Sequence, residues 1–200
     1  DSERYGSGLL LGGWRKRLAY HLADVCRVCS FPRRDIFLWV FYRVGQLNPP
    51  ALSGSDILKV VYGATFRFDK AALIDELNDM ADRVRQQWQE GKRLEARPRI
   101  LITGCPIGGA AEKVVKAIED NGGWVVGFEN CTGAKATERC VEETGDVYDA
   151  LTEKYLAIGC SCISPNDQRL SLLSQMVDEY QADGVVDVIN SKDRKSGSAG

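Results

Sequence analysis

Histidine and net charge are both scarce in this sequence. There is one histidine, His21, among 200 residues, and the formal net charge is −2. Because histidine is the commonest side-chain ligand of metals, its scarcity excludes a histidine-based metal centre and a dinuclear centre that combines histidine with acidic residues. A net charge this small exerts no general attraction on nucleic acid or on anionic membranes. We therefore expect neither a nucleic-acid partner nor a membrane partner.

Long apolar runs are also missing. The strongest run covers only residues 36–42 (IFLWVFY), whereas a membrane-spanning helix needs about 20 apolar residues. A buried helix is the simpler interpretation of this run. The alternative is an interfacial or partner-binding helix, because Arg33, Arg34 and Arg43 flank the run.

No secretion signal is recognisable at the start of the sequence, which is polar (DSERYGSG). The apolar stretch that follows, residues 9–11, is far shorter than the core of a signal peptide. The chain has seven cysteines, an odd number, which does not suit a framework of disulfides. These features predict a reducing, cytoplasmic setting in which thiols persist.

Residues 98–190 have the pattern of an α/β domain. Three short apolar runs predict buried strands, at residues 99–104 (RILITG), 124–128 (WVVGF) and 185–189 (VVDVI). Helices are predicted between them, at residues 109–121, at 147–158 and after the sequence SPND at 164–167. This last start has the pattern of a capping box with Pro165 at the first helical position. The order of elements predicts a Rossmann-like parallel sheet with flanking helices. The apolar face of the third helix is predicted to consist of Leu170, Leu173, Val177 and Tyr180.

The rest of the chain is predicted to be helical or irregular. Residues 1–50 are expected to be a helical N-terminal segment that ends at the sequence NPP, because a residue before proline avoids the helical region. Residues 51–97 are expected to be a helical linker region, whose main helix is capped by Asp69 and ends at Gly91. Residues 191–200 (SKDRKSGSAG) have no apolar periodicity and are expected to be disordered. The main helix has an apolar stripe that predicts core or subunit packing, formed by Leu73, Leu77, Met80, Val84 and Trp88.

Four cysteines lie in short turns that are rich in glycine or proline. Cys105 follows the first strand in GCPIGG, Cys131 follows the second in ENCTG, and Cys160 and Cys162 lie in GCSCISPN ahead of the third helix. Loops at the carboxyl ends of parallel strands converge on one crevice, so we expect the four thiols to lie close together. In a reducing cell, converging thiolates commonly hold a soft metal or an iron–sulfur cluster.

Zinc and a nucleotide phosphate are two alternative ligands for these turns. Four thiolates can bind zinc, but such zinc sites usually take their ligands from compact C-x-x-C motifs, whereas these thiols span residues 105–162. The GCPIGG turn resembles a phosphate cradle at a helix N-terminus. It lacks the Gly-Lys-Ser/Thr ending of a P-loop and the Gly-x-Gly-x-x-Gly pattern, so nucleotide binding there is only weakly indicated.

The remaining candidates have simpler structural interpretations. Cys140 lies in a predicted short helix, where a cysteine usually acts as a small hydrophobe. Cys26 and Cys29 have C-x-x-C spacing, which could mark a zinc or redox pair, but no second pair exists and core packing is the favoured interpretation. Lys135 and Arg169 lie close to the thiol turns and could contact an anion. An ordinary surface position is the commoner case for such residues.

Several of these motifs occur in a familiar order. The sequences TGCPIGGAAEKV, ENCTGAK and IGCSCISPNDQR follow one another, with LSGSDILKVVYGATFRFDK upstream. Together they resemble the 2-hydroxyacyl-CoA dehydratase and benzoyl-CoA reductase family, and most closely its double-cubane-cluster branch. Members of that family are longer, with an N-terminal α/β domain and a C-terminal continuation. We therefore expect this chain to be part of a longer protein.

The resemblance implies an iron–sulfur protein whose cluster, of the 4Fe–4S or double-cubane type, is held by Cys105, Cys131, Cys160 and Cys162. It also implies low-potential electron transfer from a separate ATP-hydrolysing iron–sulfur activator protein, and assembly as a homo- or heterodimer. The expected reaction is dehydration of a 2-hydroxyacyl-CoA or reduction of a small molecule. The competing hypothesis is a non-catalytic zinc-binding or assembly module that docks a partner through the face around Trp88.

Overall fold

The computed structural model describes residues 44–105, 108–131, 133–136, 141–142, 144–160 and 163–189. The N-terminal helical segment predicted for residues 1–50 lies almost entirely outside these ranges. So do His21, the Cys26–Cys29 pair, the apolar run at 36–42, Cys140 and the tail at 191–200.

Two helices precede the sheet. Helix α1 is Gly54–Thr65, and its start is fixed by Ser53, whose side chain accepts a hydrogen bond from the Asp56 amide at 3.1 Å. Helix α2 is Lys70–Gln89, with Asp69 accepting from the Ala72 amide at 3.0 Å as predicted for its cap. Helix α2 ends close to Gly91, which has a φ of +93°. These caps satisfy amide groups that the first turn of a helix leaves without partners.

The predicted apolar stripe of α2 is only partly buried. Leu73 and Leu77 are buried as expected, whereas Met80, Val84 and Trp88 are half-buried. Ile74 and Ala81 complete the buried face, which packs with Ala64 and Val60 of α1. The indole of Trp88 donates to the carbonyl of Pro49 at 2.8 Å. The N-terminal part of the stripe therefore packs against α1 within the chain.

The sheet has three parallel strands in the order β2-β1-β3, among the described residues. The strands are β1 (Arg99–Gly104), β2 (Trp124–Phe128) and β3 (Gly184–Val188). The helices between them are α3 (Ala110–Asp120), α4 (Val147–Leu156) and α5 (Asp167–Glu179), and a short 3-10 turn covers Ala134–Ala136. The Rossmann-like α/β prediction is confirmed, with strand and helix bounds within a few residues of those expected.

Both faces of the central strand are covered, as parallel strands require. Because successive side chains of a strand point to opposite faces, Ile102 packs with α1 and α3 while Leu101 packs with α5. Buried Arg99 at the start of β1 donates to the carbonyls of Tyr180, Leu47 and Gly45 at 2.8, 3.0 and 2.6 Å. This guanidinium therefore links residues 45–47 to the end of α5. Burial lowers the pKa of Arg99.

Two expectations about α5 are wrong. The helix begins at Asp167 after Asn166, whose side chain makes no capping hydrogen bond, so Pro165 does not occupy the first helical position. Of the predicted apolar face, Tyr180 is buried as expected, but Leu170 is 57% exposed and Leu173 and Val177 are only half-buried. The other buried residues of the helix are Leu172 and Met176. Leu170, Leu172 and Leu173 are equally apolar, so the sequence alone does not show which of them faces the core.

No helix in the described part of the chain is both long enough and apolar enough to cross a membrane.

Gly104 and Gly122 provide a test of how tightly β1 joins β3. Both have positive φ, +110° and +91°, but only Gly104 is enclosed: a methyl group there would lie 2.2 Å from the Val188 carbonyl oxygen, while one at Gly122 would meet nothing within 4 Å. Gly122→Ala should cost about 1–2 kcal/mol for backbone strain alone. Gly104→Ala adds a clash that is worth about 1–3 kcal/mol more. Urea unfolding of the two variants measures the difference, and equal losses would contradict the packing.

Candidate functional site

Cys105 lies directly after β1, at the carboxyl edge of the sheet. Its side chain is buried, 8% exposed, and its amide donates to the carbonyl of Val188 at 3.0 Å. That bond is made possible by Gly104, whose left-handed backbone brings the chain against β3. The first thiol is thus anchored to two strands at once.

Cys131 lies three residues after the end of β2 and is exposed. Glu129 and Asn130, which precede it, are fully buried. The turn closes through a hydrogen bond from the Gly133 amide to the Asn130 carbonyl at 2.8 Å. A methyl group at Gly133 would lie 1.9 Å from the Phe128 carbonyl oxygen, so the turn requires glycine there. The backbone therefore folds back against the strand end and leaves the thiol at the surface.

Cys160 is half-buried in the connection between α4 and α5. Its amide donates to the Ile158 carbonyl at 2.7 Å, and its carbonyl accepts from the Ile163 amide at 3.0 Å. Gly159 lies against Arg169 of α5, since a methyl group at Gly159 would be 2.8 Å from the Arg169 Cα. The third thiol loop is therefore seated directly on the first turn of α5. Cys162, the fourth predicted ligand, lies outside the described residues.

The three described thiols are close enough to influence one another electrostatically. All three are reduced. Partial shielding from water raises the pKa of the Cys131 thiol, negative charge on Cys160, Glu129 or Cys105 raises it further, and the ammonium of Lys135 lowers it. The packing of the loops agrees with this, since Arg169, against which the Cys160 loop lies, contacts Thr103 in β1 and Asp187 in β3. The three loops therefore lie near the carboxyl edge of the sheet.

A cluster of charged and polar side chains, all buried or nearly so except that of Asp187, lies next to the thiol loops and was not expected from the sequence. Glu129 is fully buried, and its Oε1 lies 3.2 Å from Nζ of Lys135. Its Oε2 accepts a hydrogen bond from the hydroxyl of Thr103 and lies 3.8 Å from Nε of Arg169. Arg169 Nη2 donates to the same hydroxyl at 3.1 Å and lies 3.6 Å from a carboxylate oxygen of Asp187. We call these five residues the Glu129 cluster.

Two interpretations of Lys135 and Arg169 follow from the sequence, an anion contact and an ordinary surface position, and neither describes where these residues lie. Their side chains are only 5% and 14% exposed, so they are not ordinary surface residues. Both face Glu129, so their charges are engaged inside the protein instead of being open to an external anion. The signal available in the sequence was the acid of ENCTGAK six residues before the lysine, a pair that becomes adjacent only because the turn reverses the chain.

The donors present fit an iron–sulfur cluster in chemical kind. Cys105, Cys131 and Cys160 supply thiols, and thiolates are the usual ligands of such clusters. Among the described residues, no group of three or more His, Cys, Asp or Glu side chains is placed to hold one metal ion. A 4Fe–4S cluster makes a different demand, because its thiolates bind separate iron atoms and need not meet at a single point.

Comparison with known proteins identifies the chain's relatives. The sequence profile of the family described as 2-hydroxyglutaryl-CoA dehydratase, D-component, matches residues 33–196. This chain belongs to that family. The match includes all three strands and all four predicted thiol ligands, and it confirms the family expected from the motifs.

A curated relative from Escherichia coli (strain K12) matches most of this chain. That relative, named "Putative dehydratase subunit YjiM", is 84% identical over 149 residues, which cover 74% of this chain and 39% of the relative. The chain therefore spans well under half the length of this dehydratase-family relative.

The raised pKa of Cys131 predicts how this thiol reacts in the reduced, metal-free protein. Since the thiolate is the nucleophile, alkylation should need a higher pH than in the unfolded chain, and Lys135→Met should raise that pH further by removing the cation that opposes the shift. Lys92→Met, an exposed lysine between α2 and β1, is the control. Iodoacetamide labelling across pH, quantified by mass spectrometry, measures the midpoints, and a lower midpoint in Lys135→Met would contradict the assignment.

The raised pKa of Cys131 also makes the stability of the fold depend on pH. A folded thiol with a raised pKa keeps its proton at pH values where the unfolded thiol, with a pKa of about 8.5, has lost it. The contribution of Cys131 to folding is therefore lost as the pH rises above that value.

Proposed function

We propose that this chain is the cluster-bearing part of a 2-hydroxyacyl-CoA dehydratase subunit that works with low-potential electrons. The observation that supports the proposal is the packing of the Cys105, Cys131 and Cys160 loops on residues near the carboxyl ends of the strands, in a chain of the dehydratase D-component family. Ligand sites of open α/β sheets lie at this edge. Cys105, Cys131, Cys160 and Cys162 would hold the cluster, of 4Fe–4S or double-cubane type.

The bound cluster would supply one-electron chemistry at low potential. The residues of the chain would then do two things. The thiols would bind the iron, and the buried residues around the loops would limit access of water. No catalytic side chain is assigned.

The partners proposed are those that the family implies. A dehydratase component works with a second component, and the electrons would come from an ATP-hydrolysing iron–sulfur activator protein. The substrate would be an acyl-CoA or another small molecule, in a cytoplasmic setting. These proposals concern the longer protein, of which this chain would contribute the thiol-bearing α/β unit.

Anaerobic purification followed by iron and acid-labile sulfide analysis tests the proposal. We expect a brown protein that bleaches in air, with iron and sulfide in equal amounts. Cys105→Ser and Cys131→Ser should each lose most of the iron, because each removes one thiolate ligand. Cys140→Ser is the matched control, since this cysteine is predicted to be a core hydrophobe, and it should retain iron.

Two outcomes would contradict the proposal. One is a colourless protein that contains stoichiometric zinc, which would favour the non-catalytic metal-binding module. The other is full iron retention in both Cys105→Ser and Cys131→Ser, which would remove these residues from the ligand set.

A further inference from the structure

Glu129 contacts β1, its own turn and the first turn of α5, against which the Cys160 loop packs. Thr103, which donates to its Oε2, lies in β1 two residues before Cys105. Glu129 itself precedes Cys131 by two residues, and Lys135 belongs to the same turn. Arg169, which lies 3.8 Å from Oε2, belongs to the turn of α5 on which the Cys160 loop is seated. One carboxylate is thus shared by three loops that are far apart in sequence.

Groups lie on both oxygens of the carboxylate. Oε1 faces Lys135 as an ion pair without a hydrogen bond, whereas Oε2 accepts a hydrogen bond from Thr103 and lies near Arg169. The hydroxyl of Thr103 is itself oriented, since it accepts from Arg169 at 3.1 Å while it donates to Glu129. The side chains of Glu129, Lys135 and Arg169 are at most 14% exposed, and Thr103 is buried. A charge-assisted hydrogen bond is short and directional, so the cluster constrains direction at Oε2 and distance at Oε1.

Two of the thiol loops also pack tightly at the glycine that precedes the cysteine. A methyl group at Gly104, next to Cys105, would lie 2.7 Å from the Asp187 carboxylate, which pairs with Arg169. A methyl group at Gly159, next to Cys160, would lie 2.9 Å from the Arg169 amide nitrogen. The loops are therefore packed against the same residues that the carboxylate holds, and a shift of Arg169 would be transmitted to two of them.

We propose that Glu129 is a positioning residue, whose buried carboxylate holds Lys135, Thr103 and Arg169 so that the loops of Cys105, Cys131 and Cys160 keep a fixed arrangement. The proposal deepens the proposed function, because it rests on these thiols acting as cluster ligands. The positioning itself is a property of the protein without iron. It can therefore be tested independently of the cluster.

The test uses Glu129→Gln, which keeps the size of the side chain and removes its charge. In the reduced, iron-free protein, iodoacetamide labelling of buried Cys105 should become at least tenfold faster, because the β1 loop loses its anchor. In protein that carries iron, release of iron to a chelator should also become at least tenfold faster, in line with the 10–100-fold effect typical of residues that orient metal ligands.

Glu119→Gln is the matched control. The Glu119 carboxylate is also partly buried and joins two elements, since it accepts from the Gly54 amide at 2.6 Å and from the Ser55 hydroxyl at 2.9 Å. It lies at the end of α3, shortly before β2 begins, and therefore at the edge of the sheet opposite the thiol loops. This variant should lose stability while Cys105 labelling stays at the wild-type rate. Equal acceleration in both variants would mean general loosening and would overturn the proposal.

Thr103→Val keeps the test informative if Glu129→Gln does not fold. Valine has nearly the shape of threonine, and the change removes both hydrogen bonds of the hydroxyl. Faster Cys105 labelling in folded Thr103→Val supports the proposal, and an unchanged rate overturns it. If the wild type binds no iron but the labelling results hold, the proposed function fails and the positioning role stands. If the wild type binds iron and Glu129→Gln matches it in labelling and iron release, the positioning role fails alone.

Discussion

The buried carboxylate of Glu129 is the constraint on which the arrangement of the three thiol loops depends. Removing a carboxylate from water is costly unless cations and hydrogen bonds replace the lost solvation. Here the replacement comes from Lys135, Arg169 and Thr103, so these groups must converge wherever Glu129 is buried. The convergence brings together a strand end, a turn and a helix start that are separated by as many as 66 positions in the chain.

The parallel topology explains why this charge cluster and the thiols share a location. All three strands point the same way, so the loops that leave them emerge at one edge. Main-chain groups beyond the strand ends have no further strand partners, and tight turns satisfy them locally, as in the bond from the Gly133 amide to the Asn130 carbonyl. Enclosed glycines at 104, 133 and 159 let the backbone approach closely enough for those turns to close.

The sequence predicted what depends on local pattern. The strands at 99–104 and 124–128 and the cap of α2 by Asp69 follow from apolar runs and capping chemistry, and the structure has them. The buried face of α5 was misassigned, because adjacent leucines satisfy the same helical period and only packing against Leu101 and Val126 selects Leu172. In the Glu129 cluster, only the pair of Glu129 and Lys135 has a local signal in the sequence. The contacts with Thr103 and Arg169 could not be predicted, since they join residues that are far apart in the chain.

Stability alone does not account for a cluster of this kind. A buried ion pair gains little over well-packed apolar side chains of similar volume, because desolvation offsets most of the attraction. Apolar packing, however, is non-directional, and it would let three short loops slide against one another. A carboxylate with a hydrogen bond at one oxygen and an ion pair at the other restricts the relative orientation of the groups around it. In the proposed role as cluster ligands, the thiolates would each have to meet a particular iron atom, and a fixed orientation would serve that role where an equally stable leucine would not.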